Sequence, residues 1–199
     1  MIERSASRRR AAPEQIDTAI DAALAEALRG DPAVTPMREG TRLGRLFADL
    51  ARPQPRSGAR EIEALIWALW SNHDDPALDG MMAAAIDALV ERRHRRARAV
   101  LDRLVAAAPD WAEAWNKRAT LAFVEGRDVD SLADIARTLA REPRHFGAAA
   151  GLGQICLRQD RPREALAAFD VALRINPHME GVSKAAAELR GQMRADDLN

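Results

Sequence analysis

The chain has 199 residues and a formal net charge of zero, because 30 Lys and Arg residues balance 30 Asp and Glu residues. This balance argues against a protein whose main role is to coat nucleic acid or an anionic membrane. Apolar residues make up 47% and charged residues 30% of the chain, a composition typical of soluble globular proteins. The single cysteine, Cys156, excludes an internal disulfide and multi-cysteine metal sites. No membrane span and no cofactor are predicted.

Residues 1–38 are predicted to form a mobile N-terminal arm that carries one weak helix. The first ten residues are basic, but no apolar segment of the kind found in export signals follows them. Pro13 and Gly30 are start and stop signals for a short amphipathic helix between them. We therefore predict a cytoplasmic protein, with a periplasmic location as the alternative if the start is atypical.

Beyond residue 38 the apolar residues recur with the period of an α-helix, and no segment has the alternation of a strand. Two apolar stripes occupy residues 43–50 and 62–70, separated by Pro53 and Pro55, which end the first of them. Further helices are predicted at about 78–90, 97–107, 112–125, 131–141, 146–158, 163–175 and 180–194.

Prolines mark a repeat in the second half of the chain. Pro109, Pro143 and Pro177 recur at a constant interval, and a fixed period of this size indicates stacked structural units. The sequence here resembles the tetratricopeptide repeat family, whose unit is a helix–turn–helix of about 34 residues. The matches to the family pattern are Trp115, Ala119, Gly126 and Pro143 in one unit, and Leu152, Gly153, Ala165, Phe169, Ala172 and Pro177 in the next.

The resemblance implies an all-α fold, a right-handed α-solenoid of stacked repeats over residues 39–199. The predicted parts are an eroded unit at 40–76, a degenerate repeat at 78–111, repeats at 112–145 and 146–179, and a capping helix at 180–194. Gly153 is predicted to be a hole that admits a bulky side chain such as Phe169 from the second helix. The strings EIEALIWALW and AEAWNKRATL are also similar to a group of small bacterial tetratricopeptide proteins of undefined role.

The resemblance implies that the protein is an interaction module or scaffold that binds a peptide or helix of a partner protein in a concave groove. In this family the first helices of successive repeats line that groove. Asn116 and Lys117 are similar to the family's clamp for a terminal carboxylate, but Ala150 and Gly151 leave the clamp incomplete in the next repeat. By position in the repeat, the groove residues are Met82, Ile86, Glu113, Asn116, Thr120, Phe123, Val124, Gln154, Leu157 and Arg158, with Arg144 and His145 on the rim.

The densest charge run, Arg92–Arg98, suggests an alternative function. It could bind an anionic ligand or nucleic acid, but no aromatic residue is interleaved with it, so a solvated outer face is the favoured interpretation. Self-association through the terminal helix is a third possibility, which leaves a homo-oligomer open.

The remaining reactive residue types give no sign of catalysis. The four histidines lack metal-ligand spacing and are predicted to be turn residues or donors on the groove rim, so no metal site is expected. Cys156 is predicted to be a buried, inert thiol, and the four tryptophans are predicted to be core residues. No phosphate-binding loop or hydrolase motif occurs, and the protein is predicted not to be an enzyme.

Overall fold

A computed structural model describes residues 12–29, 41–53 and 55–196. Within these ranges the chain forms α-helices joined by short turns and contains no strand. Residues 1–11 and 30–40, which carry much of the predicted arm, lie outside the described residues. The helices are α1 (Pro13–Arg29), α2 (Arg42–Leu50), α3 (Arg56–Trp70), α4 (Pro76–Val90), α5 (His94–Ala107), α6 (Ala112–Val124), α7 (Asp128–Arg141), α8 (Phe146–Arg158), α9 (Pro162–Ile175) and α10 (Glu180–Asp196).

Helices α4 to α9 form three consecutive pairs, α4–α5, α6–α7 and α8–α9, and α10 packs on α9. We call α4, α6 and α8 the first helices and α5, α7 and α9 the second helices. The turn inside each pair contains a residue with positive φ, and these residues are Arg92, Gly126 and Asp160, which follow one another at the same interval as the prolines. The same backbone turn therefore recurs in all three pairs, although only one of them uses glycine, the residue that adopts positive φ without strain.

The two helices of the third pair meet where Gly153 faces Phe169. Both residues are buried, and the Cβ that a larger residue would add at Gly153 would overlap the Phe169 ring. The absence of a side chain at Gly153 thus lets α8 and α9 approach closely, as the sequence pattern predicts.

Helix α1 is docked on the repeats, which corrects the prediction of a free arm for residues 13–29. Its apolar stripe, Ile16, Ile20, Ala23 and Ala27, is buried in the main hydrophobic core. The helix packs mainly on the second helices α7 and α9. Four apolar residues at helical spacing offer enough area to dock a helix, although in isolation a helix of this length is marginal.

Helices α2 and α3 pack on each other, and α3 does not pack along α4 as a further repeat would. It contacts the starts of α6, α8 and α10 through side chains. The start of α3 is next to α10, where Arg56 Nη2 contacts Glu180 Oε2 at 2.5 Å. Its last turn is next to α6, where Trp111 Nε1 donates a hydrogen bond of 2.7 Å to the carbonyl of Trp70. The part of the predicted eroded repeat at 40–76 that the structure describes therefore contains a helical hairpin, α2–α3, that contacts the starts of other helices.

Trp67, Trp70 and Trp111 are at the junction of the hairpin with the repeats; Trp70 is buried, as the core prediction requires, while Trp67 and Trp111 are partly buried. The Trp67 and Trp70 rings pack edge to face at 5.2 Å, and both contact Phe146 at the start of α8. Trp115 differs from the prediction, since it is only partly buried. Its ring lies among the guanidinium groups of Arg118, Arg137 and Arg141 at 4.9, 4.9 and 5.3 Å.

Candidate functional site

The candidate site is the surface formed by the first helices α4, α6 and α8 together with α10, which we call the first-helix face. Helix α3 divides it into two parts. The covered half comprises the starting turns of α6, α8 and α10, which α3 overlies. The open half comprises the last turns of α4, α6 and α8, at the other end of the same helices.

In the covered half, the Trp67 side chain of α3 packs against the start of α8. The Cβ that Gly147 lacks would lie 2.6 Å from Trp67 Cη2, so the indole occupies the space a side chain on α8 would need. The Lys117 ammonium of α6 lies 5.2 Å from the Trp67 ring centroid. Helix α3 is therefore seated by a tryptophan that fits over a glycine and beside a cation.

Beside Trp67 and Trp70, a polar cluster is centred on the Glu113 carboxylate, which is buried. Lys117 Nζ lies 2.7 Å from Oε1, while His145 Nε2 and Asn116 Nδ2 each lie 2.9 Å from Oε2. Burial raises the pKa of Glu113, but the hydrogen bond from His145 and the charge of Lys117 outweigh it and hold the pKa below its ordinary value. Asn116 and Lys117, the clamp-like pair, are thus committed to a carboxylate of their own chain.

His145 links this cluster to the start of α8. Its Nδ1 accepts a hydrogen bond of 3.1 Å from the Ala148 amide, which leaves Nε2 to carry the proton and donate to Glu113. Its ring stacks on Trp70 with a centroid distance of 4.1 Å and an interplanar angle of 9°. His145 is therefore a helix cap and a buried structural donor, as the prediction of a turn residue requires, and it is no rim residue of an open groove.

The open half carries exposed apolar side chains in register. Val90, at the end of α4, and Val124, one repeat length later at the end of α6, are 78% and 60% exposed. Leu157, at the end of α8, is also exposed and lies one repeat length after the partly buried Phe123. Large apolar side chains on a soluble protein are notable when they form a contiguous row, because such rows mark interaction surfaces. We call Val90, Phe123, Val124 and Leu157 the open stripe.

Arg158 lies over one end of the open stripe. Its guanidinium carbon is 3.9 Å from the Phe123 ring centroid, and Nη1 donates a hydrogen bond of 3.2 Å to the Phe123 carbonyl. Nε donates to Asp128 Oδ2 at 3.1 Å, and Nη2 contacts Oδ1 of the same carboxylate. These bonds fix the planar group in place.

The residues predicted for the groove divide between the two halves. Thr120, Val124, Gln154, Leu157 and Arg158 are exposed, and Ile86 and Phe123 are partly exposed. Met82, Glu113, Asn116 and His145 are buried, and Arg144 lies against Phe47 of α2 at 4.4 Å from the ring centroid, which corrects their assignment to an open groove. One usable signal in the sequence was missed: Val90 precedes Val124 by one repeat length.

Among the other candidates, Cys156 is buried, and burial raises the pKa of its thiol to about 12, as expected for the inert thiol predicted. In the arginine run, Arg93 and Arg98 form ion pairs with Glu91 and Glu125, which reduces the free positive charge there. Within the described ranges no group of His, Cys, Asp and Glu residues is arranged to hold a metal ion. No helix in the same ranges has the length and apolar character needed to cross a membrane.

Comparison with known proteins agrees with the repeat geometry. The sequence model of the tetratricopeptide repeat matches residues 82–137 and 129–180. A TPR repeat-containing protein of the bacterium Rhizobium etli is 36% identical over 154 residues, which cover 75% of this chain and 76% of that protein. The chain belongs to the tetratricopeptide repeat family. It is an all-α solenoid of helical repeats, and the repeats of this family are generally protein-interaction modules.

Proposed function

We propose that the protein is a non-enzymatic interaction module that binds an apolar peptide segment of a partner protein along the open half of the first-helix face. The observation that carries this proposal is the open stripe, in which Val90 and Val124 occupy the same place in successive repeats and are exposed. A segment laid along the stripe would remove these apolar side chains from water, at a gain of about 25 cal/mol per Å² buried.

The covered half limits what the partner can contact. Glu113, Asn116 and His145 are buried and bonded to one another beside Trp67 and Trp70, so they are not available to a ligand. A partner can therefore contact only the open half of the first-helix face, toward the last turns of α4, α6 and α8. Thr120 and Gln154, which precede the last turns of α6 and α8, are exposed polar side chains that can bond to its backbone.

Arg158 contributes a fixed planar group at one end of the stripe, with its charge paired with Asp128. Because it is bonded to Asp128 and to the Phe123 carbonyl, little side-chain freedom remains to be lost when a partner packs against it. The N–H donors of Arg158 that these bonds leave free are suited to a carbonyl oxygen placed at one end of the apolar segment.

Site-specific photocrosslinking tests the proposal. A photoreactive amino acid replaces Val124 in one variant, Val90 in a second and Leu28 in a third, and each is expressed in a bacterial host with the rest of the chain unchanged. Leu28 is the matched control, since it is a half-exposed apolar residue on α1. The proposal predicts the same cross-linked partner at Val90 and Val124, and none of it at Leu28.

Phe123→Ala in the Val124 cross-linking variant completes the test. Loss of this ring removes apolar contact area and the support of Arg158, so the cross-linked yield should fall several-fold while the helical dichroism is unchanged. Equal cross-linking at all three positions, or a yield that Phe123→Ala does not alter, would contradict the proposal.

A further inference from the structure

The α2–α3 hairpin contacts three successive turns, each of which joins a second helix to the helix that follows it. At the turn before α6, Trp111 Nε1 donates a hydrogen bond of 2.7 Å to the Trp70 carbonyl. At the turn before α8, the His145 ring stacks on the Trp70 ring at a centroid distance of 4.1 Å. At the turn before α10, His178 Nε2 donates a hydrogen bond of 3.0 Å to the Leu50 carbonyl at the end of α2.

These contacts recur in the register of the repeats. His145 follows Trp111 by one repeat length, and His178 follows Arg144 by the same interval. The Arg144 guanidinium lies 4.4 Å from the Phe47 ring centroid, so it contacts α2 as His178 does one repeat length later. Equivalent positions of successive turns therefore hold one segment that is not itself a repeat.

The hairpin can act as one body because its two helices pack on each other. The Phe47 ring of α2 and the Trp70 ring of α3 have a centroid distance of 5.9 Å, and both residues are buried. In a solenoid each repeat contacts only its neighbours, and the small rotations between repeats set the curvature of the array. A body that is attached to three successive turns restrains those rotations.

Restraint at the starting turns reaches the open half through the first helices themselves. Helices α6 and α8 have 13 residues each. A helix of this size is about 20 Å long, so a change of about 10° in the angle between two of them shifts their far ends by about 3 Å. Apolar side chains are in contact only when their atoms approach within about 4–4.5 Å. A shift of this size is therefore enough to misalign Val124 and Leu157, which lie at the far ends.

We propose that the α2–α3 hairpin is a conformational strap that fixes the angles between α6, α8 and α10 and thereby controls partner binding at the open stripe. The control of binding rests on the proposed function, whereas the restraint on the angles does not. A loosened strap lets the repeats rotate and weakens binding without a change in any residue of the stripe. The strap thus couples the covered half of the first-helix face to the open half.

Distances between spin labels on the full-length protein test the restraint. The labels are attached to cysteines that replace Val124, at the end of α6, and Gln192, two repeat lengths later on α10. Both positions are exposed, whereas Cys156 is buried and should not react with the label. Double electron–electron resonance should give a single narrow distance distribution when the strap is intact.

The double variant Phe47→Ala with Trp67→Ala loosens the strap, because it removes the ring beside Arg144 and the ring that lies over Gly147. The distance distribution should broaden by about 3 Å or more, the displacement that follows from a rotation of about 10°. Helical dichroism equal to that of the wild type shows that the double variant is folded.

Two further variants keep the test decisive. His178→Ala removes only the bond to the Leu50 carbonyl, so it should fold and should broaden the distribution by a smaller amount. Leu65→Ala is the matched control, since Leu65 is an exposed residue of α3, and it should leave the distribution unchanged. The restraint is disproved if the folded strap variants keep the narrow distribution, or if Leu65→Ala broadens it as much as they do.

The photocrosslinking yield at Val124 tests the control of binding. In the Phe47→Ala, Trp67→Ala background the yield should fall several-fold, while Leu65→Ala should leave it unchanged. Broadened distances with an unchanged yield would show that the strap does not control binding. If the wild-type stripe captures no partner, the proposed function and the control of binding both fail, and the distances still decide whether the hairpin restrains the helices.

Discussion

At the scale of single residues, the absence of a side chain at particular glycines sets how closely two helices can pack. Gly153 lies under the Phe169 ring and Gly147 under the Trp67 ring, whereas Gly80 in α4 has no atom within 4 Å of a Cβ position. The same residue type therefore has opposite consequences for stability at different places in the chain.

Gly153→Ala should lower the free energy of unfolding by about 1–3 kcal/mol, because the added methyl group must displace Phe169 from a packed core. Gly80→Ala is its matched control. It should raise the free energy of unfolding by about 0.5–1 kcal/mol, because alanine has the higher helix propensity and meets no neighbour there. Urea unfolding measures both values, and a Gly153→Ala protein as stable as the wild type would show that Phe169 does not fill this hole.

Glu113 should make stability depend on pH in the acid range. Its folded pKa lies below the ordinary value of 4.5, so its contribution is fully present above about pH 4.5 and is lost as the pH falls through the folded pKa. Glu113→Gln should cost about 1–3 kcal/mol at pH 7, because it removes a charged acceptor from His145 and Lys117.

The difference in unfolding free energy between wild type and Glu113→Gln should therefore shrink as the pH falls from about pH 5 through the folded pKa of Glu113. Urea unfolding at several pH values measures it. Glu188→Gln, which changes an exposed glutamate on α10, serves as the control and should differ little from the wild type throughout. A gap that stays constant across this range would contradict the account of the cluster.

At the scale of secondary-structure elements, the N-terminal segment acts on both sides of the repeats. Helix α1 packs mainly on the second helices. Helix α3 contacts the starts of the first helices α6 and α8 through Trp67, so the N-terminal part of the chain contacts both kinds of helix. A short array of repeats gains stability from such contacts, because each pair alone cannot bury its apolar face.

Ile20→Ala should lower the free energy of unfolding by about 2–5 kcal/mol, since the side chain is fully buried between α1 and the repeats. Leu28→Ala on the same helix is half exposed and should cost well under this amount, within about 1 kcal/mol. Limited proteolysis followed by mass spectrometry provides a second readout. The smallest stable fragment of the wild type should begin before Ile16, and a stable fragment that begins near residue 38 would mean that α1 is not docked.

The sequence was sufficient to predict the repeats but not the placement of the hairpin. Proline spacing and the Gly153–Phe169 pair are local, periodic features, and they recur in register in the structure. The packing of α3 on the start of α8 depends on one glycine, Gly147, and one tryptophan, Trp67. These two residues are distant in the sequence and belong to no repeating pattern. For this reason the buried members of the predicted groove, such as Glu113 and Asn116, could not be told from the exposed ones.

At the scale of the whole molecule, the buried apolar residues form two hydrophobic clusters of unequal size. One large hydrophobic cluster contains residues of α1, α2 and α3 and of each helix from α6 through α10. A smaller cluster contains residues of α4, α5 and α6. The first pair, α4–α5, is therefore tied to the rest mainly through α6.

Native-state hydrogen exchange should reflect this division. Backbone amides in α4 should exchange at a lower opening free energy than those in α8, because local stability follows the number of buried contacts that each element shares with the rest. The amides of Ala85 and Ala149 are suitable reporters, since both residues are fully buried within their helices. Equal protection of the two helices would mean that the whole solenoid unfolds as a single unit.

The central claim is that α3 covers the starting turns of the first helices and leaves their last turns open to a partner. The most direct test is a nuclear Overhauser measurement between the Trp67 indole and the α-protons of Gly147, whose missing Cβ would lie 2.6 Å from Trp67 Cη2. The contact between Gly153 and the Phe169 ring, within the third pair, serves as the positive control in the same spectrum. The account predicts strong cross-peaks for both pairs, and a spectrum with the Gly153–Phe169 cross-peak but none between Trp67 and Gly147 would contradict it.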